Sequence, residues 1–425
     1  MILYLTGFVV ALILGVPVAL SLGLASLSYL VLTGNLHLLL AFPQRMIAGV
    51  DNFVLLTIPF FILAGNLMNA ADLTTRIVRF AQMIVGQTRG GLAVISIVSS
   101  MMFSGVSGAA TAEASALGSV LIPAMKRDGY KPAYAAALIA AGSLLGPLVP
   151  PSLALILYGV LTGTSIGDLF LAGIVPAFVL CGLLVVYALW KARRDDHPVT
   201  PALPRNERAG AVIGAVPALM LPVIIVGGIR SGVFTPTEAA AVASIYALAI
   251  GVLLYRSLPL RRTIQCFYET ATMSAGVMLV VAMASMTAFV LGIENIPQAI
   301  AGHLLAVTDN PLGLVVLLNI VLLILGMFLE PLAALILAMP ILAGITPHIG
   351  MDPVQFGIMV VLNLMIGMVT PPVGLVLFIV SSIGRVPLES VTRQALPLIG
   401  ICLLVLALVA LVPQLSLALP ALLAN

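Results

Sequence analysis

Hydrophobic residues run along this chain in long unbroken blocks, without the short polar/apolar periods of water-soluble strands and helices. Strong apolar spans cover 2–33, 53–70, 132–164, 169–190, 212–229, 237–255, 273–293, 353–383 and 395–412. A bilayer's hydrocarbon core takes about 20 residues of helix, so the pattern predicts nine membrane-crossing helices, with 2–33 as one of them. Two further stretches, 91–125 and 311–347, are interrupted near their middles, the first at Ser104-Gly105-Val106-Ser107-Gly108 and the second near Gly326 and Glu330-Pro331. Each half is only about 14 to 18 residues, enough to enter a membrane and turn back. Both are predicted as re-entrant hairpins. Amphipathic stretches at 36–48, 73–86, 257–270 and 297–307 fit helices lying at the membrane interface.

Composition narrows the class. Of 425 residues, 62% are hydrophobic and 8% charged, against roughly 25% charged in soluble domains. This excludes an ordinary soluble enzyme, a nucleic-acid partner and a disordered chain. The alternating ten-residue segments of an outer-membrane barrel are absent. The chain is an all-α polytopic protein whose immediate partner is the lipid bilayer. Cys181, Cys266 and Cys402 sit singly in apolar segments, and the four histidines form no HExxH pair, so no transition-metal site, cofactor or redox motif is expected. The N-terminus has no charged n-region and no small-residue cleavage site, and so reads as a mature helix.

Basic residues set the sides. They cluster at Arg76, Arg79 and Arg89, at Lys126, Arg127 and Lys131, within 191–208, and at Arg256, Arg261 and Arg262; none occurs from 263 to 384. Short loops rich in Lys and Arg face the cytoplasm. Hairpin 91–125 therefore opens from the cytoplasmic side and 311–347 from the outside, with the N-terminus inside and the C-terminus outside.

The chain also repeats itself. Gly146-Pro147-Leu148-Val149-Pro150-Pro151 resembles Gly367-Met368-Val369-Thr370-Pro371-Pro372 at an offset of 221, which also relates Pro132 to Pro353 and Pro176 to Pro397. The copies start on opposite sides, so the organisation is an inverted repeat. Residues 1–190 form the first copy, with hairpin 91–125 and broken helix 132–164. Residues 191–236 form a cytoplasmic loop and connecting helix. Residues 237–425 form the second copy, with hairpin 311–347 and broken helix 353–383. Inverted repeats with paired Gly/Pro-interrupted segments point to a secondary transporter; gene duplication also builds channels, and that reading stands beside it.

The chemistry should lie at the interruptions. In hydrocarbon, non-helical backbone persists only where it lines a cavity or meets a ligand. Pro150-Pro151 and Pro371-Pro372 break their helices, freeing carbonyls of Gly146, Val149 and Pro151, and of Gly367, Thr370 and Val373. Hydroxyls of Ser104, Ser107 and Thr370 add oxygens. Such hard ligands suit an alkali cation; a double-proline kink without a ligand is the plainer alternative. Glu113 and Glu330 follow the two tips. For Glu330 a functional carboxylate and a helix-start carboxylate stand equal; Glu113 reads as a helix start, as does Glu238 after Thr235-Pro236. The small residues from Gly108, with Thr111, open a helix whose N-terminus suits an anionic substrate. Gly105-Val106-Ser107-Gly108-Ala109 approximates a nucleophile elbow but lacks its second glycine and a histidine partner. No GxxxxGK[ST] motif is present, so no ATP hydrolysis or other enzyme activity is expected.

Taken together, SGVSGAATAEA, GPLVPPS, GMFLEPLAALILAMP and GMVTPPVG make the chain, over almost its full length, resemble the large membrane subunit of tripartite ATP-independent periplasmic (TRAP) transporters. The resemblance implies an elevator-type, sodium-coupled importer of organic anions such as four-carbon dicarboxylates, keto acids or sialic acids. It implies two partners, a small four-helix membrane subunit and a soluble periplasmic substrate-binding protein. It also implies residence in the bacterial inner membrane. Family sodium sites carry over to Ser104, Ser107, Gly146, Val149 and Pro151, and to Gly326, Gly367, Thr370 and Val373. Gly108, Thr111 and Glu330 are the candidate substrate contacts. The chain carries no extra amino-terminal four-helix segment, so the small subunit is expected as a separate polypeptide. A stand-alone sodium/dicarboxylate symporter of related architecture is the alternative.

Overall fold

The computed structural model describes residues 2–295, 299, 302, 308 and 310–423. Nineteen α-helices account for most of them. In chain order they are α1 Ile2–Ile13, α2 Val18–Leu32, α3 Ala41–Val50, α4 Thr57–Ala70, α5 Leu73–Val85, α6 Gly91–Ser107, α7 Ala110–Arg127, α8 Pro132–Gly142, α9 Leu153–Thr162 and α10 Ile166–Arg194. Then follow α11 Arg205–Arg230, α12 Pro236–Ala249, α13 Leu260–Ile293, α14 Pro311–Phe328, α15 Pro331–Ile349, α16 Pro353–Gly367, α17 Leu375–Gly384, α18 Leu388–Leu411 and α19 Gln414–Leu423. Seven helical segments among the described residues are long and apolar enough to cross a membrane.

Several sequence expectations need correction. The span 2–33 is two helices. Gly15 takes a left-handed φ of +79° and Pro17 starts the next helix, a termination that only glycine accepts without strain. The stretch 257–270 is not a separate interfacial helix, because α13 runs unbroken from Leu260 through the span expected at 273–293. Its counterpart at 36–48 does stand apart, as a 3-10 turn Leu36–Leu40 followed by α3. The difference lies at Asp51-Asn52, where the Asn52 side chain accepts from the Val54 amide and starts a new turn; the matching Thr272-Met273 offers no such stop. The span 237–255 finishes in a π-helical turn, Ile250–Leu254. The C-terminal α19, after Pro413, was not anticipated. The stretch 297–307 falls largely outside the described residues.

The helix starts follow from local chemistry. Thr235 and Glu238 form a reciprocal capping box at α12, the Glu238 carboxylate accepting from the Thr235 amide at 2.8 Å, so Glu238 is the helix start the sequence suggested. Asn310 and Asp352 cap α14 and α16. Ser152 caps α9 from within the protein, its hydroxyl accepting from Leu155 N at 3.3 Å.

Packing separates the helices into two groups. In one, α4 lies along α12, and α13 along α2, α3 and α4. Polar ties hold this group: Thr57 to Thr237 at 3.1 Å, Ser244 Oγ to Phe60 O at 2.6 Å, and Asn66 Nδ2 to Thr270 Oγ1 at 2.9 Å. In the other, α6 and α7 form one helical hairpin, and α14 and α15 the other; both surround α8 and α16. Every residue from Tyr134 to Gly142 and from Gln355 to Gly367 is buried. Both segments are almost wholly apolar, as suits a helix enclosed on all sides, and the buried amides of Gln355 and Asn363 are hydrogen-bonded, to Val409 O and Asn319. The two broken helices are thereby fixed at the centre of this group, with their breaks facing the hairpin tips.

Candidate functional site

The first hairpin turns at Gly108-Ala109. Gly108 adopts a left-handed φ of +62°, and a Cβ there would collide with the Pro151 carbonyl oxygen. The glycine thus supplies both the turn and room for the tip to touch the break, meeting two requirements no other residue meets. Around this contact, Ser104 Oγ donates to Ser100 O at 2.6 Å or to the Glu113 carboxylate at 3.0 Å, and Ser107 Oγ donates to Ala109 O at 3.3 Å. Gly146 stands against Glu113: a Cβ on it would lie 2.8 Å from Glu113 Oε2. Between Gly146 and α9 the backbone forms turns and bends instead of helix, and the Pro150-Pro151 bond is cis. Ser104, Ser107, Gly108, Gly146 and Pro151 therefore converge. Val149 is half-buried and faces, with Pro150, an apolar cavity against α10 and α11.

The second hairpin turns at Leu329-Glu330. Its arm α14 crosses α16 through glycine on glycine: a Cβ on Gly367 would stand 2.5 Å from Gly326 Cα, and one on Gly326 2.6 Å from Leu364 O. Gly374 N donates to Met327 O at 3.3 Å, tying the second break to the second tip. Pro371-Pro372 is also cis. Thr370 Oγ1 is half-buried and donates to Ile366 O at 2.6 Å, leaving a lone pair. Val373 is half-buried in the non-helical segment before α17. Gly326 and Gly367 are in direct contact, with Thr370 and Val373 following in the break.

The substrate candidates separate. Gly108 is buried in the tip contact, Thr111 is half-buried at the start of α7, and Glu330 is exposed and starts α15 without a side-chain cap bond. None of the three lines the main polar cleft. That cleft, about 520 Å³, opens between α4, α5, α7 and α13 and presents Asn66, Asn69, Thr74, Ser115, Gln265 and Glu269. The sequence reading named none of these, because each is an ordinary interfacial polar residue until the helices assemble. It also passed over Asn319 and Asn363, whose side chains meet at 2.5 Å between α14 and α16. A lone amide in an apolar run was the available signal.

The geometry has relatives. The described fold matches the transporter YdaH of Alcanivorax borkumensis, with a TM-score of 0.63 at 14% identity over 89% of this chain and 88% of that one. MtrF of Neisseria gonorrhoeae matches at a TM-score of 0.61 and 11% identity, over 89% and 84%. By sequence, the chain is 44% identical to the sialic acid TRAP transporter large permease protein SiaM of Vibrio cholerae, over 97% of both chains. It is 38% identical to the C4-dicarboxylate large permease protein DctM of the same organism, over 97% of this chain and 95% of that one. These relatives are permease subunits and not enzymes. The family model for the tripartite ATP-independent periplasmic transporter, DctM component, matches residues 5–415, and the chain belongs to that family of multi-pass membrane transport proteins.

Proposed function

We propose that this chain is the membrane-embedded translocating subunit of a sodium-driven importer of an organic acid anion. The observation that carries the proposal is the paired construction of the centre. In each repeat a broken helix exposes backbone oxygens beside a hairpin tip, and a glycine permits the contact. Oxygen-lined breaks inside a buried helix suit sodium. One site takes Ser104, Ser107, Gly146, Val149 and Pro151, and the other Gly326, Gly367, Thr370 and Val373. The relatives, named for sialic acid, C4-dicarboxylates and isethionate, support an acid anion as cargo. Gly108, Thr111 and Glu330 remain candidate contacts. A periplasmic binding protein delivers the anion, and a small membrane subunit completes the complex in the bacterial inner membrane. The N-terminus is cytoplasmic, the C-terminus is periplasmic, and residues 191–236 connect the repeats 1–190 and 237–425. The central group of hairpins and broken helices moves as one unit against the α2–α4, α12 and α13 group, an elevator motion. Reconstitution of all three components in liposomes with a panel of organic acids tests this: uptake of one acid should require sodium and the binding protein. Undiminished uptake after sodium is replaced by choline would refute the coupling.

A further inference from the structure

The two repeats are alike in their breaks but not in charge. Glu113 lies in the first turn of α7, its amide bonded to Ala109 O at 3.1 Å, yet its side chain does not cap the helix. It turns inward to complete burial, with 0% exposure. Oε2 accepts from Ser104 Oγ at 3.0 Å and packs on Gly146; Oε1 is buried without a partner. The hydroxyls of Ser99 and Ser100 are likewise buried and unpartnered, and a Cβ on Gly142 would stand 2.7 Å from Ser100 Oγ. No cation answers the carboxylate: the two ion pairs among the described residues are Arg89 with Asp196 and Lys191 with Asp195. An isolated buried carboxylate is strongly unfavourable. The offset of 221 carries Glu113 onto Ala334, which is buried; the tip carboxylate Glu330 is exposed, and the seam is closed by Gly326 on Gly367.

We infer that Glu113 is a cation ligand, the charged anchor of the first sodium site, and that the second site is neutral. Serine and carbonyl oxygens around a full negative charge make a tighter site than oxygens alone, so the first site fills at lower sodium concentration than the second. The inference rests on the sodium-coupled reading above, and the test separates the two. The complex with its small subunit is purified, and its melting temperature is followed while sodium chloride replaces choline chloride at constant ionic strength. A ligand at free concentration L that binds only the folded state raises stability as RT ln(1 + L/Kd), so the rise begins near the dissociation constant and the response needs neither substrate nor binding protein. The wild type should show a sodium-dependent rise. Glu113→Gln, equal in size but uncharged, should move the sodium concentration at which that rise begins up about tenfold or more. Glu113→Asp, which keeps the charge but withdraws it from Gly146, should move it by a smaller factor. Should the Gln variant fail to fold, the Asp variant decides. An unchanged onset in whichever folded variant is measured overturns the assignment of Glu113 and leaves sodium coupling standing. A wild type with no sodium response overturns both.

Discussion

Replacing Gly367 by alanine probes whether the close crossing of α14 and α16 shapes the second site. The residue ends α16 in ordinary helical geometry, so alanine meets no conformational objection and by propensity alone would stabilise the helix by up to ~1 kcal/mol. The added methyl would stand 2.5 Å from Gly326 Cα and 2.8 Å from Gly326 O. Carbon contacts settle at ~3.5–4 Å, and backbone atoms on the other side cannot rotate away. The tip and the break must therefore separate by about 1 Å. Overpacking of this kind costs ~1–3 kcal/mol, which leaves a net destabilisation of roughly 1 kcal/mol. The larger effect should fall on sodium, because the break's oxygens and the tip no longer share one spacing. Loss of one charge-assisted contact, ~1.5–3 kcal/mol, raises the half-saturating sodium concentration by about tenfold or more. The assay is sodium-dependent uptake in liposomes alongside thermal melting. Gly400→Ala is the control, a helical glycine with nothing within 4 Å of its added methyl. Gly326→Ala opens the same seam, so the double variant should cost less than the sum of the singles. A Gly367→Ala protein that matches Gly400→Ala in both melting and sodium dependence would refute the reasoning.

Other consequences are open to measurement. Ser104→Ala and Thr370→Ala each remove one hydroxyl, typically ~0.5–1.5 kcal/mol, and should each raise the sodium requirement several-fold at normal expression; unchanged sodium dependence in both returns the proline breaks to a purely structural role. Single cysteines at Val199 and His348, in a background lacking Cys181, Cys266 and Cys402, should react with impermeant reagents from opposite faces of the membrane, and labelling from one face contradicts the inverted topology. The segment 195–200 clasps the entry to α6 through Gly90 N to Pro198 O at 2.9 Å and Thr200 N to Thr88 O at 3.2 Å, and the His197 ring lies tilted against Tyr130 with ring centres 4.3 Å apart. Burial holds the His197 imidazole below its ordinary value of 6.5, against the pull of Asp195. The open form therefore binds the proton more tightly, and the clasp is whole above pH 6.5 and weakens as pH falls through that value. Amide protection factors at 88–90 and 195–200, corrected for the intrinsic exchange rate, should fall on acidification, and His197→Phe should abolish that pH dependence.

The sequence carried much of this architecture because lipid imposes few solutions. Long apolar runs must be helices, and Gly-Pro interruptions at equal spacing had to mean two equivalent breaks. That logic pointed to Gly146, Pro151, Gly326 and Gly367, which the fold places at the breaks and at the α14–α16 crossing, and to Gly108, where the first hairpin turns. It failed where one residue's side chain chooses between two local fates. Gly15 and Pro17 split a span that hydropathy alone reads as continuous. Thr272-Met273 lets α13 run on where Asp51-Asn52 stops its counterpart, and the difference is one side-chain oxygen. Glu113 sits in a helix's first turn, the ordinary place for a carboxylate. Its inward orientation comes from α6 and Gly146, residues that the chain brings to it only on folding.

The divergence between the repeats has a physical logic of its own. A hairpin tip beside a broken helix can be sealed in two ways. Backbone can close directly on backbone, which demands glycine on both sides, as at Gly326 and Gly367. Alternatively a side chain can fill the gap, which demands glycine on one side alone, as where Gly146 admits the carboxylate of Glu113. The first seal is neutral and tight; the second is polar and incomplete while Glu113 Oε1 has no partner. A central unit that slides against its surroundings cannot carry an uncompensated charge through hydrocarbon without a large penalty. On the proposed sodium-driven elevator, the second kind of seal would tie movement to occupancy: with the first site empty the charge would resist passage, and a bound cation would remove that resistance. One charged seal would be enough to impose this condition on a unit that moved as a whole, which would leave the second repeat free to keep its glycines.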